Sequence, residues 1–377
     1  MIYLDHNATT QPAPEVVNAM EECLTRAWGN PSSLHASGQQ ARATRESARR
    51  ALASLIHAPA ANILFTSGAT EATCQLLLGP LFQPNARPRH LITSAIEHPC
   101  VLEPARVLES LGWSVTRVGA NADGLIDPLT VANAIRPDTA LISVMLANND
   151  TGVIQPVREI ADLARRHKIP MHTDAVQAVG RIPVDFAALG VDFLTLSAHK
   201  FYGPKGVGAL VFRDATAVAP FLRGGSQERT LRAGTENMPG ISGLGAAAQL
   251  AEREMAEDAV RIATLRDRLQ AGLLAAFSDA RVNGACASRV PGTLNITFPG
   301  IDAVTAVMNL DIADIAAATT SACSTAKHEP PHVLTAMGLT PEMALATLRF
   351  SVGRDNTQDE IDRVVATLTD LVPQLRS

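Results

Sequence analysis

The sequence predicts an α/β fold built on a doubly wound, mostly parallel sheet. Short apolar segments alternate with helix-like segments over residues 62–212, which is the pattern of repeated strand–helix–strand units. Residues 140–147 are almost continuously apolar, and such a segment indicates a strand buried on both faces. Polar motifs follow the apolar segments at their C-terminal ends, where open α/β sheets bind ligands.

Length and composition limit the functional classes. A chain of 377 residues predicts two or three domains, and 46% hydrophobic against 18% charged residues supplies a core. The net charge of −5 without a basic block argues against nucleic acid as a partner. Five scattered cysteines indicate neither a disulfide framework nor a zinc ribbon, so we expect a reducing, cytoplasmic location. No apolar stretch is long enough to span a bilayer and no signal-peptide pattern opens the chain, so we expect no membrane association.

The first elements lead towards a possible anion site. Residues 3–10 predict an extended arm, residues 14–27 a helix, and residues 29–38 a turn-rich loop that enters a helix near Gln39. A strand from residue 62 then ends in Thr-Ser-Gly-Ala-Thr at 66–70, where a helix begins. Small residues at a helix N-terminus let backbone amides bind a phosphate. Simple helix capping explains the same residues equally well.

Two further strands carry polar residues at their ends. Residues 90–96 predict a strand that reaches Glu97 and His98, and the strand over residues 140–147 ends in paired asparagines with Asn149. A lone histidine is more often structural than catalytic, so His98 and Asn149 by themselves do not indicate a catalytic site.

Asp174 and Lys200 form the most informative pair. Each follows a short apolar strand, and residues 193–212 predict strand, tight turn, strand. A half-buried lysine can lose its proton and act as a nucleophile. A strand-end lysine and aspartate together suit a pyridine cofactor, because the amine attaches to it and the carboxylate keeps the ring nitrogen protonated. Taken singly, a surface lysine and a helix-capping aspartate remain the ordinary interpretations.

Three motifs resemble the cofactor motifs of the cysteine desulfurases of the NifS/IscS type. They are Asp-Ala-Val-Gln at 174–177, Ser-Ala-His-Lys at 197–200 and Gly-Pro-Lys-Gly at 203–206. These enzymes belong to the class V aminotransferase group and use pyridoxal 5′-phosphate (PLP). The resemblance extends over nearly the whole chain, including residues 3–10 and 29–38, and implies the PLP-dependent transferase fold of type I as a homodimer.

The resemblance also implies a role for individual residues. Lys200 holds PLP and moves the substrate proton, His98 stacks on the ring, and Arg349 clamps the substrate carboxylate. Cys323, in a Ser-Ala-Cys motif at 321–323, receives the sulfur. The remaining implied contacts to PLP or substrate come from Ala69, Thr70, Asn149, Asp174, Gln177, Ser197, His199 and, across the dimer interface, Thr235.

Some residues depart from the family pattern. Thr230 and Thr320 stand where glycine is usual, and Asp150 stands where glutamate is usual. Lys327 and His328 are more polar than the pattern and could lower the pKa of Cys323 from its free value of about 8.5.

Two residue-level alternatives remain. Arg349 lies inside an apolar strand and could instead serve an internal ion pair. Cys323, His328 and His332 could be read as metal ligands, but their spacing is irregular and a fourth ligand is missing. We therefore expect no metal.

The implied reaction converts L-cysteine to L-alanine and leaves a persulfide on Cys323, which passes to an acceptor such as an iron–sulfur scaffold. The implied domains are a large PLP-binding domain over 13–250 and a small domain formed by 1–12 and 251–377. Other chemistry on the same fold, such as that of a selenocysteine lyase or an aminotransferase, stays open. So does a non-catalytic sulfur-relay role.

Overall fold

The computed structural model describes residues 1–84, 87–319 and 329–376. A short strand, β1 (Ile2–Tyr3), opens the chain, and helices α1 (Pro14–Thr25) and α2 (Ala36–Leu55) follow. His35 caps α2 by accepting a hydrogen bond from Gly38 N on its Nδ1 at 3.4 Å. This cap starts the helix before the predicted position near Gln39.

A seven-stranded sheet forms the centre of the larger part of the molecule. Its strands are β2 (Ile63–Thr66), β3 (His90–Ser94), β4 (Ser114–Val118), β5 (Thr139–Ser143), β6 (Met171–Asp174), β7 (Phe193–Ser197) and β8 (Gly208–Phe212). They lie in the order β2-β8-β7-β6-β5-β3-β4. Neighbours from β7 to β4 are parallel, whereas β8 runs antiparallel to both β2 and β7. The predicted mostly parallel sheet is confirmed.

Helices cover both faces of this sheet. They are α3 (Ala69–Leu78), α4 (Pro99–Ser110), α5 (Pro128–Ala134), α6 (Val157–Arg166) and α7 (Phe186–Leu189). Side chains alternate along a strand, so Leu64 of β2 joins an apolar cluster with residues of α3 and α4. Its neighbours Ile63 and Phe65 join a second cluster with residues of α2 and α6. The sheet is thus buried on both sides, as the doubly wound class requires.

The connection between β7 and β8 is longer than the predicted tight turn. It contains a 3₁₀ turn over Ala198–Lys200, and Gly203 N then donates to Ala198 O at 3.0 Å. A Cβ on Gly203 would lie 2.7 Å from that same oxygen. Glycine therefore permits the close backbone approach that fixes the residues after the strand end.

A long helix, α8 (Met238–Ala276), leads to a smaller α/β unit. Its elements are β9 (Arg281–Val282), β10 (Thr293–Thr297), α9 (Ala303–Ile312), β11 (Ile315–Ala316), β12 (Ala318–Thr319), α10 (His332–Ala336), α11 (Pro341–Leu345), β13 (Thr347–Ser351) and α12 (Gln358–Arg376). Strands β12, β13, β10 and β9 form an antiparallel sheet with its own apolar cluster, which includes Leu294 and Phe350. The domain boundary expected at 250/251 falls inside α8 and stays a prediction.

The N-terminal arm joins the two sheets. Strand β1 pairs in parallel with β11, and Ser351 N at the end of β13 donates to Leu4 O at 2.7 Å. Thr10 N then donates to His199 O at 2.9 Å, beside the large sheet. Within the described ranges, no helix combines the length and the apolarity needed to cross a bilayer.

Candidate active site

One cavity of about 1030 Å³ collects most of the predicted site residues. It lies where β6 and β7 end, and Arg349 of β13 also lines it. The predicted residues in its wall are Ala69, Thr70, His98, Asn149, Asp174, Gln177, Ser197, His199, Lys200 and Arg349. Thr235 is exposed and is not part of this wall. Cys323 lies outside the described residues.

Lys200 occupies the third position of the turn that follows β7. Its Nζ donates to Asn7 O at 2.6 Å and to Ala8 O at 2.8 Å. Burial, followed by the positive charges of Arg181 and Arg349, lowers the pKa of Lys200 to about 8. A larger fraction of this amine is therefore neutral near pH 7 than of an ordinary lysine, which makes it available as a nucleophile.

Asp174 ends β6 with a carboxylate whose orientation is fixed. Its Oδ1 accepts from Val176 N at 2.9 Å, and its Oδ2 accepts from the Cys100 thiol at 3.5 Å. The side chain is buried but reaches the cavity. Burial, and then the charge of Asp174, raise the pKa of Cys100 well above its usual value, so this thiol stays protonated. The carboxylate can bind a protonated nitrogen of a ligand.

His98 caps α4 at the edge of the cavity. Its Nδ1 accepts from Cys100 N at 3.1 Å, so a neutral ring carries its proton on Nε2. Burial lowers the pKa of His98, with Lys200 and His332 acting in the same direction against Asp174. A neutral, fixed imidazole can stack on a flat ring and exchange a proton.

The N-terminus of α3 forms another wall. Thr66 Oγ1 donates to Gly68 O at 2.9 Å, and the helix begins at Ala69 with Thr70 next. His199 is held by Thr9 Oγ1 at 3.1 Å, and burial, with help from Lys200, lowers its pKa to about 4. Free helix amides, hydroxyl groups and a neutral imidazole are suited to an anion such as phosphate.

Arg349 forms the internal ion pair that the sequence left open. Nη2 lies 2.9 Å from Asp5 Oδ1, and Nη1 lies 3.2 Å from Asp150 Oδ1. Burial raises the pKa of Asp150, whereas Arg349 opposes that rise. The Nε atom of Arg349 is buried without a hydrogen-bond partner in the part of the chain that the structure describes. Arg349 also lines the cavity, where a guanidinium group can bind a carboxylate ligand.

Asn149 and Gln177 complete the wall around Lys200. Asn149 Nδ2 donates to Asp150 Oδ1 at 2.9 Å, and Gln177 Nε2 donates to Asn7 O at 3.0 Å. Among the described residues, Gln177 Oε1 has no hydrogen-bond partner although it is buried. A buried, unpaired acceptor is costly unless a ligand or water satisfies it.

Three residues at or beside this cavity were not expected from the sequence. Asn7 accepts from Lys200, Arg181 donates to Lys200 O at 3.4 Å, and Lys205 lines the cavity. The arm over residues 3–10 was expected at the site, but the contacts of Asn7 arise only in the tertiary structure. One feature of the sequence could have pointed to Arg181, which is the single charged residue in the stretch 175–184.

The loop over residues 221–237 lies apart from the cavity wall and contains strained backbone. Glu228, Arg229 and Thr230 adopt φ values of 43°, 60° and 68°, a region that favours glycine. Glycine adopts this backbone conformation without strain, which explains why glycine, rather than the threonine of this chain, is usual at position 230. Glu228 anchors the loop, because its carboxylate accepts from Arg49 Nη2 at 2.6 Å and from Phe65 N at 3.0 Å.

The described part of the chain contains no group of three or more histidine, cysteine, aspartate or glutamate side chains placed to hold a metal ion. Of the alternative ligand set, Cys323 and His328 lie outside the described residues. His332 Nε2 lies 2.9 Å from Glu97 O, which occupies one of its ring nitrogens.

Comparison with known proteins identifies the family. The sequence profile of the aminotransferase class-V family matches residues 2–364. A cysteine desulfurase IscS from Dictyoglomus turgidum is 42% identical over 376 residues, covering 100% of this chain and 95% of the relative. A solved NifS-like protein superposes with a TM-score of 0.92 at 34% identity, covering 99% of this chain and 100% of that one. A structure described as SspA in complex with cysteine gives a TM-score of 0.81 at 34% identity, with coverage of 94% and 99%. The chain therefore belongs to the aminotransferase class-V family, among its cysteine desulfurases.

Proposed function

We propose that this cysteine desulfurase uses PLP to move sulfur from L-cysteine to Cys323 and releases L-alanine. The observation that carries the proposal is the joint placement of Lys200 and Asp174 in one cavity, each at the end of a parallel strand. The resemblance in sequence supports the residue roles, and the relatives described above support the substrate.

The residues of the cavity fit PLP by their chemistry. The amine of Lys200 can attach to its aldehyde, Asp174 can pair with a protonated ring nitrogen, and the N-terminus of α3 can bind its phosphate. Two residues of the cavity wall, Gln177 and Arg349, each have a buried polar atom, Oε1 and Nε, without a hydrogen-bond partner among the described residues. We assign the phosphate contacts to Ala69, Thr70, Ser197 and His199, and the ring contacts to His98, Asn149, Asp174 and Gln177.

When bound, PLP supplies an acceptor for the electrons left at the substrate Cα after deprotonation. The residues of the chain do the rest. Arg349 holds the substrate carboxylate, with Asn149 beside it, and Lys200 removes and returns the Cα proton. The low pKa of Lys200, about 8, provides the neutral amine that this step needs.

Cys323 carries the sulfur. Its thiolate attacks the sulfur of the substrate, a new S–S bond forms and the C–S bond breaks. The electron pair of the broken C–S bond stays with the carbon fragment, which is protonated and released as alanine. Glu329 and Pro330, shortly after Cys323 in sequence, line the cavity, which supports access of this thiol to the substrate. The resulting persulfide then passes to an acceptor protein, for which an iron–sulfur scaffold is our first candidate.

We also propose a homodimer in which Thr235 binds the phosphate of the partner's PLP. The exposure of Thr235 away from its own cavity supports that role. We propose a large domain over 13–250 and a small domain over 1–12 and 251–377. A separate apolar cluster, which joins residues 2 and 4 to residues between 265 and 372, supports the small domain, whereas Val333 and Leu334 of α10 pack into the cluster of the large sheet. The free thiols at Cys23, Cys74, Cys100 and Cys286 suit a reducing, cytoplasmic location.

Intact mass spectrometry tests the reaction. PLP-loaded protein is exposed briefly to L-cysteine, and alanine is assayed in the same sample. We expect one added sulfur and stoichiometric or greater alanine in the wild type and in Cys286→Ala, a control that removes an exposed cysteine. Cys323→Ala should gain no sulfur, and Lys200→Ala should form no alanine. Alanine formation that survives Cys323→Ala at the wild-type rate would refute the persulfide step.

A further inference from the structure

Arg181 lies next to the proposed cofactor lysine, and it forms no ion pair with an acidic side chain of the described residues. Its guanidinium group donates from Nη2 to His6 O at 2.8 Å and to Lys200 O at 3.4 Å, and from Nη1 to Asn7 Oδ1. These acceptors are neutral carbonyl and amide oxygens. Among the described residues, no carboxylate contributes to the electrostatic environment that shifts the pKa of Arg181.

Asn7 connects Arg181 to Lys200. Its side-chain oxygen accepts from Arg181, while its backbone oxygen accepts from Lys200 Nζ and from Gln177 Nε2. Its Nδ2 donates to Asn149 O at 3.0 Å and to Thr293 Oγ1 at 2.9 Å. The Arg181 guanidinium group and the Lys200 amine are therefore both held by Asn7, whose own side chain is fixed by Asn149 and by Thr293 of β10.

We propose that Arg181 is a positioning residue for Lys200, whose uncompensated positive charge keeps the Lys200 amine in its neutral, reactive form. The inference rests on the proposed function, because it assigns a purpose to a neutral Lys200. Arg181 does not line the cavity, so it acts through Lys200 and Asn7 rather than on the substrate.

The other charged groups near Lys200 do not cancel the lowering of its pKa by Arg181. Burial is the largest cause of the low pKa of Lys200, and Arg181 is the largest charge contribution. Arg349 acts in the same direction but is itself paired with Asp5 and Asp150. Two carboxylates, Asp174 and Asp5, favour the charged amine. The titratable side chains that also interact with Lys200 are His98 and His199, whose own pKa values are lowered.

Competitive acetylation of the full chain, freed of PLP, measures the Lys200 amine directly. Trace acetic anhydride is applied across a pH series, and the acetylated fraction of the Lys200 peptide is read by mass spectrometry. We expect a midpoint near pH 8 in the wild type. Arg181→Met should raise the midpoint by roughly 1 to 2 pH units, because a like charge is removed from the vicinity of the amine.

Two further variants separate charge from folding. Arg181→Lys keeps the charge and should leave the midpoint within a few tenths of a pH unit of the wild type. Lys205→Met removes another cation that lines the cavity and is not among the main causes of the low Lys200 pKa, and it should shift the midpoint much less than Arg181→Met does. An unchanged midpoint in folded Arg181→Met, verified by near-UV circular dichroism, would overturn the proposal. A midpoint raised equally in the Met and Lys variants would also overturn it.

The same samples distinguish this inference from the proposed function. PLP is added back, the protein is reduced with borohydride, and the labelled peptide is identified. Attachment of PLP elsewhere than Lys200 would refute the proposed function, whatever the acetylation midpoints. Attachment at Lys200 together with an Arg181→Met midpoint equal to that of the wild type would refute only the role of Arg181.

Discussion

The strand ends around Lys200 and the loop over residues 221–237 position polar groups by different means. Asp174 ends β6 and Lys200 lies in the turn after β7, and both strands hydrogen-bond to neighbours on both sides, so the backbone ladder fixes the two strand ends. The loop has left-handed backbone at Glu228, Arg229 and Thr230 and is attached through ion pairs. Its anchoring pairs are Arg49–Glu228, Arg232–Glu71 and Arg45–Glu236.

The comparison shows that each region has a characteristic weakness. In the sheet, His172 of β6 is buried between Ser143 Oγ at 2.8 Å and Thr195 Oγ1 at 3.1 Å, and it must stay neutral. The loop instead depends on charges that must stay ionised. A neutral substitution at an anchoring charge should therefore damage the loop, whereas acid should damage the sheet.

The largest effect is expected from Asp174→Ala. Loss of this carboxylate leaves a protonated ring nitrogen of PLP unpaired in a buried site, at a cost of about 3–5 kcal/mol. Alanine formation should fall by roughly two to four orders of magnitude. Asp174→Asn, which keeps the shape, should be nearly as impaired. Near-normal turnover in either variant would mean that the strand end does not serve the cofactor.

Glu228→Gln tests the loop. The Arg49 and Glu228 side chains are 6% and 1% exposed. Neutralising Glu228 leaves Arg49 with the more exposed Glu46 as its remaining acidic partner, and we expect a loss of about 2–3 kcal/mol in the free energy of unfolding. Glu103→Gln breaks an exposed pair with Arg106 and should cost at most about 1 kcal/mol. Urea unfolding compares the two variants. Equal costs would show that this ion pair does not hold the loop.

Acid should weaken the sheet through His172. Burial lowers the pKa of His172 to about 3, so between pH 6.5 and pH 3 the unfolded chain binds a proton that the folded chain refuses. Stability must therefore fall as the pH falls. From pH 6.5 to pH 5 the contribution of His172 is roughly 2 kcal/mol. Urea unfolding of His172→Gln over this range should show a shallower pH dependence than the wild type; identical slopes would contradict the assignment.

The smallest effect is expected from Thr230→Gly. Thr230 has φ of 68°, and a non-glycine residue there costs about 1–2 kcal/mol, partly offset by the greater freedom of glycine in the unfolded chain. We expect a net stabilisation of roughly 0.5–1 kcal/mol by urea unfolding. Ser226→Gly, at φ of −84° in the same loop, should destabilise. Destabilisation by both changes would mean that Thr230 is not strained.

The sequence predicts local features of the site because they depend on local patterns. Lys200 and Asp174 follow apolar strands, and the ends of parallel strands meet at one edge, so their proximity follows from the fold class. The sequence pattern did not predict the direction of β8 or the length of the connection between β7 and β8. The conformation of this connection depends on the contact of Gly203 with Ala198 O, which no periodic sequence pattern reveals.

Contacts between distant segments required the tertiary structure. Asn7 accepts a hydrogen bond from Lys200, which lies 193 positions away in the sequence. Arg349 donates to Asp5, which lies 344 positions away. An arginine in an apolar strand predicts some partner, but it does not say whether the partner is a substrate or Asp5 and Asp150. The role suggested for Arg181 depends on the same kind of long-range contact.

The arm that carries Asn7 also has a consequence for the order of folding. Its first strand pairs with residues 315–316, and Leu4 O accepts from Ser351 N. During synthesis the arm is made before the large sheet, whereas its partners at 315–316 and Ser351 are made after that sheet. The large sheet can form while the arm still lacks those partners. The Lys200 site therefore becomes complete only after Ser351 has been made, so chains that stop before Ser351 should bind PLP poorly. The contacts of the arm should also form late because their sequence separation is so large.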